Sequence, residues 1–316
     1  MSYNIKLGLI GAGNIAKEHL SVIHHLDNIS VTGITSRTNS KANQLAKQFK
    51  IDNVYNDYNE LINKSELDAL MITVSADQIY QLVKDLIPYK IPLFIEKPPG
   101  LVPDQTKVLV ELANKYHVSN MVGYNRRYYS IFHRGLEIIK KHGQLLGVTI
   151  EGHERFWKIG NIDRPKIILD NWIYANGTHT IDLLRFFGGE IKYINTFTTK
   201  LKERNGDQFV ASLEFNSGSL GTYTSHWFSP GGWSVKLYGV GVTVEFKPLE
   251  KGIWFNTDFQ RNEIVPDEID QKFKPGFYRQ MKAFVKIVNT EKLTWPDMDL
   301  EDAFKTMKLA ENFLHV

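Results

Sequence analysis

The sequence predicts an α/β protein in two parts: an N-terminal Rossmann-type, doubly wound parallel sheet, then an α+β domain built on a large, mostly antiparallel sheet. Three observations predict it. Short apolar runs alternate with stretches at helical spacing over the first third of the chain; the first run leads directly into a glycine-rich turn and a helix; and beyond about residue 145 the pattern becomes period-2. A chain of 316 residues also exceeds the size at which single cores stop growing, so two domains are expected, 1–123 and 124–316.

In order, IKLGLI (5–10), SVTGIT (30–35), DALMITV (68–74) and IPLFIE (91–96) read as strands. The helices between them show as apolar stripes: Ile15 to Leu26, then Ala42, Leu45, Ala46 and Phe49, then Ile79, Leu82, Val83 and Leu86. Strands joined by helical crossovers make a parallel sheet covered on both faces, with its ligand crevice beyond the carboxyl ends of the strands. Farther on, LGVTIEGHERF (146–156), KYINTFTTKL (192–201), QFVASLEF (208–215) and SLGTYTSHW (219–227) alternate, and Asn216-Ser217-Gly218 suits a hairpin turn. Between the first two of these strands DNWIYANGTHTID (170–182) reads as a helix, stopped by Gly188-Gly189. On a regular helix Ala175 and Asn176 would lie one turn before His179, and Asp182 one turn after. Helices at Gln280–Val288 and Asp302–Phe313 close the chain, and no repeat or low-complexity segment is present.

Composition narrows the function. A formal charge of +3, with basic and acidic residues interspersed, gives no stripe for nucleic acid. The absence of cysteine excludes disulfides, thiolate nucleophiles and cysteine-rich zinc sites. No apolar run is long enough for a signal sequence or a membrane span, so a cytoplasmic protein is expected. The histidines form no convincing metal set: His24 and His25 are adjacent on a helix, and His153 and His226 lie on different strands.

Three motifs point to one crevice. Gly11-Ala12-Gly13-Asn14-Ile15-Ala16 follows the first strand and opens the first helix. Gly11 allows the tight turn, Gly13 lets the backbone approach a pyrophosphate, and Ala16 lets helix and strand pack closely while the helix N-terminus faces the anion. At the end of the second strand, where an acid would bind ribose hydroxyls, the chain reads Thr35-Ser36-Arg37-Thr38-Asn39-Ser40-Lys41. Ser36, Arg37 and Lys41 suit a 2′-phosphate, which favours NADP while leaving NAD possible. Glu96-Lys97-Pro98 then ends a strand where nicotinamide and substrate meet in such folds.

With these motifs and Gly177-Thr178-His179-Thr180-Ile181-Asp182 in order, the chain resembles the Gfo/Idh/MocA oxidoreductases over essentially its whole length; Gly123-Tyr124-Asn125-Arg126-Arg127-Tyr128 looks like that family's domain junction. The resemblance implies interconversion of hydroxyl and carbonyl groups on sugars, polyols or nucleotide sugars, and association through the open face of the C-terminal sheet, as a homodimer or homotetramer. It implies that Glu96 lies near the nicotinamide ribose and that Lys97 and His179 flank the reacting carbon and are the catalytic pair. The family's usual aspartate, four residues before the histidine, is Ala175 here.

Tyr124, Arg126, Arg127, Trp172, Asn176 and His179 are the candidate substrate contacts, joined by Glu154-Arg155-Phe156-Trp157-Lys158 at the cleft border. Aromatic faces stack on sugar rings and arginines hold anionic groups, which suggests an anionic sugar such as a nucleotide sugar. Two rival functions keep the same fold: a non-catalytic, cofactor-binding sensor, and an NAD-dependent glycoside hydrolase.

Overall fold

In the computed structural model, which describes residues 4–314, the chain divides into two units: Met1–Asn125 with Lys272–Phe304, and Arg126–Gln271 with Lys305–Val316. The first sheet contains β1 (Ile5–Ile10), β2 (Ile29–Thr35), β3 (Val54–Tyr55), β4 (Ala69–Ile72), β5 (Leu93–Ile95) and β6 (Asn120–Val122), in the order β3-β2-β1-β4-β5-β6. Every pairing in it is parallel. Helices α1 (Asn14–Ile23), α2 (Asn39–Phe49), α3 (Tyr58–Lys64), α4 (Ala76–Leu86) and α5 (Pro103–Tyr116) supply the crossovers. Their buried stripes are the expected ones, among them Ala42, Leu45 and Ala46 on α2 and Ile79, Val83 and Leu86 on α4. β3 and β6 are too short to announce themselves in the sequence.

The first unit also takes in 272–304, which the sequence reading left with the second domain. The cause is apolar burial. Phe277 packs its ring 4.6 Å from that of His19, and Met298 and Leu300 join the core cluster of β1, β4, β5 and α5.

In the second unit, α6 (Ser130–Lys141) precedes β7 (Leu145–Gly152), followed by α7 (Phe156–Ile159), α8 (Lys166–Asp170) and α9 (Thr178–Gly188). The chain then runs through β8 (Ile191–Thr199), β9 (Gln208–Phe215), β10 (Leu220–His226), β11 (Trp233–Gly239), β12 (Val242–Phe246), β13 (Gly252–Phe255) and β14 (Arg261–Ile264). The eight strands lie in the order β14-β13-β12-β11-β7-β10-β9-β8, antiparallel except for β7 with β10. One face carries α6 and α9 on an aromatic core, in which Phe132 meets Phe246 at 4.8 Å and Phe187 at 5.2 Å between ring centres. The other face leaves Tyr193, Phe197, Val210 and Leu220 exposed at 63%, 67%, 41% and 63%. Among the described residues no helix is long and apolar enough to cross a membrane.

The segment before α9 is not the regular helix that its spacing predicts. Residues Ile173–Gly177 form a π-helical turn in which the Thr178 N–H reaches back to the Ile173 carbonyl. The Thr178 hydroxyl donates to the Tyr174 carbonyl at 2.8 Å and the Thr180 hydroxyl to that of Gly177 at 3.0 Å, so side chains satisfy carbonyls that the altered ladder leaves. The extra residue shifts Ala175 and Asn176 out of α-helical phase with His179. Such turns concentrate at functional sites.

Candidate functional site

The first unit holds a cavity of about 420 Å³ beyond the carboxyl ends of β1, β2 and β4, lined by Gly11, Ala12, Gly13, Ser36, Arg37, Thr38, Lys41, Thr73, Val74 and Ser75 among others. Gly11 has φ +112°, and a Cβ there would come within 2.7 Å of the Thr73 main chain, so the turn admits only glycine. Gly13 differs: it is extended and precedes Asn14 and Ile15 at the start of α1, and a Cβ on it would meet nothing within 4 Å. The protein leaves open space where the main chain faces outward at a helix N-terminus. That arrangement fits a pyrophosphate.

Ser36, Arg37 and Lys41 line the same cavity. Near Arg37, on the first turn of α4, stands the carboxylate of Asp77. Burial alone would raise the Asp77 carboxyl, but hydrogen bonds from Ser75 and Gln78 and the nearby Arg37 charge outweigh it and hold it below its ordinary value. Arg37 therefore shares its field with a carboxylate, which the sequence alone did not reveal.

Glu96, just past β5, is buried, and its Oε1 lies 2.8 Å from Nε2 of His19, itself wholly buried on α1 between the rings of Phe94 and Phe277. Oε2 of Glu96 accepts the Lys97 N–H at 3.2 Å, and a side chain at Gly123 would press to 3.2 Å from the carboxyl carbon. His19 thus orients the carboxylate that the family resemblance implies lies near the nicotinamide ribose. The reading missed it. The available signal was its position on the stripe Ala16-His19-Leu20-Ile23, where a histidine replaces an apolar residue. Lys97 is half-buried and precedes a cis peptide to Pro98. Tyr124 is buried in the core of this unit rather than at a cavity lining.

The second unit holds a larger cavity, about 830 Å³, lined by side chains from the end of β7, α7, the π turn and the start of β11. Of the expected substrate contacts, Arg126, Trp172 and Asn176 line it, with Glu154, Arg155 and Lys158. Trp233, another lining residue, carries the Arg126 guanidinium 4.5 Å from its ring centre and lies 5.9 Å from the ring of the buried His179. Gly231 allows close approach of His153, since a Cβ would fall 2.5 Å from that ring. Burial pushes the His153 imidazole below its ordinary value, and its Nδ1 accepts the His226 N–H at 3.0 Å, which needs that nitrogen unprotonated.

Arg127 is placed differently from the expectation. Its guanidinium donates from Nε and Nη2 to the two oxygens of Asp182, at 2.8 and 2.7 Å, and Asp182 also accepts from the Thr306 hydroxyl at 2.9 Å. Both residues are buried, and neither lines the cavity. A bidentate buried pair of this kind fixes the start of α6 to α9 and leaves Arg126 as the arginine of the adjacent pair that faces the cavity.

A parallel sheet with a glycine turn at a helix N-terminus is the frame of a dinucleotide-binding domain. Residues 5–124 match the Gfo/Idh/MocA oxidoreductase family, NAD-binding Rossmann fold, and residues 160–245 match the Gfo/Idh/MocA C-terminal domain; the chain belongs to this family. It is similar to the oxidoreductase YrbE of Bacillus subtilis, at 28% identity over 46% of this chain and 42% of that protein. The myo-inositol 2-dehydrogenase of Thermotoga maritima is 22% identical over 90% of this chain and 89% of its own length. Among solved structures, the UDP-N-acetylglucosamine 3-dehydrogenase of Acidithiobacillus ferrooxidans shares the fold, with a TM-score of 0.79 at 13% identity over 98% and 97% of the two chains.

Proposed function

We propose that this enzyme interconverts a hydroxyl and a carbonyl on a sugar, polyol or nucleotide sugar bearing an anionic group, using NADP in preference to NAD, as a cytoplasmic homodimer or homotetramer. The observation that carries the reading is the cavity of the second unit. Arg126 and Arg164 lie over the indole rings of Trp233 and Trp172, at 4.5 and 5.5 Å, and with Arg155 and Lys158 they outnumber Glu154 and Glu250 in its lining. The inositol dehydrogenase and the nucleotide-sugar dehydrogenase among its relatives support the substrate class. The apolar residues on the open sheet face support the oligomer.

When bound, the nicotinamide accepts or supplies the hydride. The turn at Gly11–Gly13 and the N-terminus of α1 would hold its pyrophosphate, and Ser36, Arg37 and Lys41 its adenosine 2′-phosphate. Glu96, held by His19, would bind ribose hydroxyls. Lys97 and His179 move the proton at the reacting oxygen, a role open to an ammonium or an imidazole near neutral pH.

The test is to incubate the protein and each cofactor with inositols, sugar acids and nucleotide sugars while following nicotinamide absorbance. Turnover is expected with at least one anionic sugar, faster with NADP. Tight cofactor binding with no redox change across the panel would favour the sensor, and cofactor regenerated within each turnover of a glycoside would favour the hydrolase.

A further inference from the structure

Trp172 lines the second unit's cavity between α8 and the π turn, and the residue is 5% exposed. Its indole nitrogen is buried, and among the described residues no acceptor meets it. Native folds pair nearly all buried donors, so one left over calls for a physical account. An indole N–H only donates, and what it lacks is an acceptor. The rest of the ring is occupied. The Arg164 guanidinium lies over it, 5.5 Å from the ring centre, and Phe156 makes a T-shaped contact with it at 6.0 Å.

Arg164 lines the same cavity and directly precedes Pro165, the residue that caps α8. It is exposed, and among the described residues it pairs with no carboxylate; its contact is with the Trp172 ring. Such a contact is weak at an exposed site, so the guanidinium can leave the ring face at little cost. A charged fork of donors over the ring and an unpaired N–H at the ring's edge complement one kind of group. That group has several lone pairs and a negative charge, as a carboxylate or a phosphate does. An oxyanion would draw the guanidinium from the face toward the edge and reach the buried N–H beside it.

We propose that Arg164 and Trp172 together bind the oxyanion of the substrate, the arginine supplying charge and the indole N–H a directed donor. The assignment rests on the reading of the substrate as an anionic sugar, and it gives that anion its place in the cavity.

The test uses the full-length protein with reduced nicotinamide cofactor bound, so that sugar probes without a free carbonyl bind but do not react. Methyl β-D-glucuronide carries a carboxylate, UDP-N-acetylglucosamine carries phosphate, and methyl β-D-glucoside carries neither. In proton–nitrogen NMR spectra the Trp172 indole signal, identified by its loss in Trp172→Phe, should move with at least one anionic probe and stay in place with the glucoside. Which anionic probe moves it tells carboxylate from phosphate. By calorimetry, Trp172→Phe should weaken that probe by about tenfold, as loss of a donor to a charged group predicts. Arg164→Gln should weaken it at least as much, and cofactor affinity should be unchanged in both. Because Arg164 is exposed, Arg164→Gln keeps the test open should Trp172→Phe fail to fold. An anionic probe that leaves the indole signal unmoved and binds both variants as well as the parent would overturn the subsite while the anionic-substrate reading stands. Heat from the glucoside alone would overturn both, and so would bound cofactor with no heat from any of the three probes.

Discussion

The two cavities are built from different material. One wall of the first is main chain, the glycine turn and the N-terminus of α1, while Arg37, Lys41, Tyr58 and Gln81 line the rest of it. The second is made of long side chains brought from β7, α7, the π turn and β11. A main-chain site recognises what all its ligands share, such as a pyrophosphate, and varies little in shape. A side-chain site recognises what distinguishes one sugar from another. The comparison predicts that substitutions lining the first cavity act on cofactor binding, and those lining the second on substrate, unless the side chain serves the fold.

Arg127 and Asp182 supply the sharpest exception, and the largest expected effect. If the pair serves the fold, Asp182→Asn leaves a buried guanidinium without its charge partner, a change that costs about 3–5 kcal/mol. Chemical denaturation should show this loss, and the folded fraction should keep its KM. A stable Asp182→Asn protein with a weakened KM would return Arg127 to the substrate. Next in size, Lys97→Met and His179→Asn should each lower single-turnover hydride transfer by about a hundredfold or more, with cofactor affinity little changed. An unaltered rate in His179→Asn would make that histidine a structural partner of Trp233.

The same contrast explains what could be read from the sequence. Gly11 and Gly13 were legible because backbone geometry restricts residue type, and the strand before and helix after them are local. The strands of both sheets showed through periodicity, apart from β3 and β6, with two and three residues each, and the late hairpins β11–β14, whose mixed composition hides their alternation. Arg126, Trp172 and Asn176 were found as candidates by chemistry. Which of two adjacent arginines faces the cavity was not legible, because it depends on the long-range partner Asp182. The π turn escaped because hydrophobic spacing over five residues does not separate it from an α turn. Glu154 beside Asn176 and His19 beside Glu96 are pairings 22 and 77 residues apart, which a single sequence does not encode as a pattern.

Gly13→Ala sharpens the comparison from the main-chain side. A Cβ there meets no protein atom within 4 Å, and the extended backbone suits alanine, so the melting temperature should hold. The methyl would instead occupy the space facing the pyrophosphate. Overpacking there of about 1–3 kcal/mol should weaken either cofactor by roughly tenfold to a hundredfold. Unchanged affinity would mean that the cofactor backbone does not approach Gly13.

Arg37 is the place where the first unit behaves like the second, because a long side chain there would decide between two ligands. A charged hydrogen bond to a phosphate is worth about 1.5–3 kcal/mol. Arg37 is exposed, and Asp77 already draws on its charge, so the low end applies. Arg37→Ala should therefore weaken NADP by about tenfold and leave NAD nearly untouched, as titration of both cofactors would show. The carboxylate gives a second arm. Asp77→Asn removes a carboxylate charge near Arg37, so it should shift preference further toward NADP. Equal losses of both cofactors in Arg37→Ala would make this arginine a solvated loop residue. A shift toward NAD in Asp77→Asn would show that Asp77 only orders Arg37.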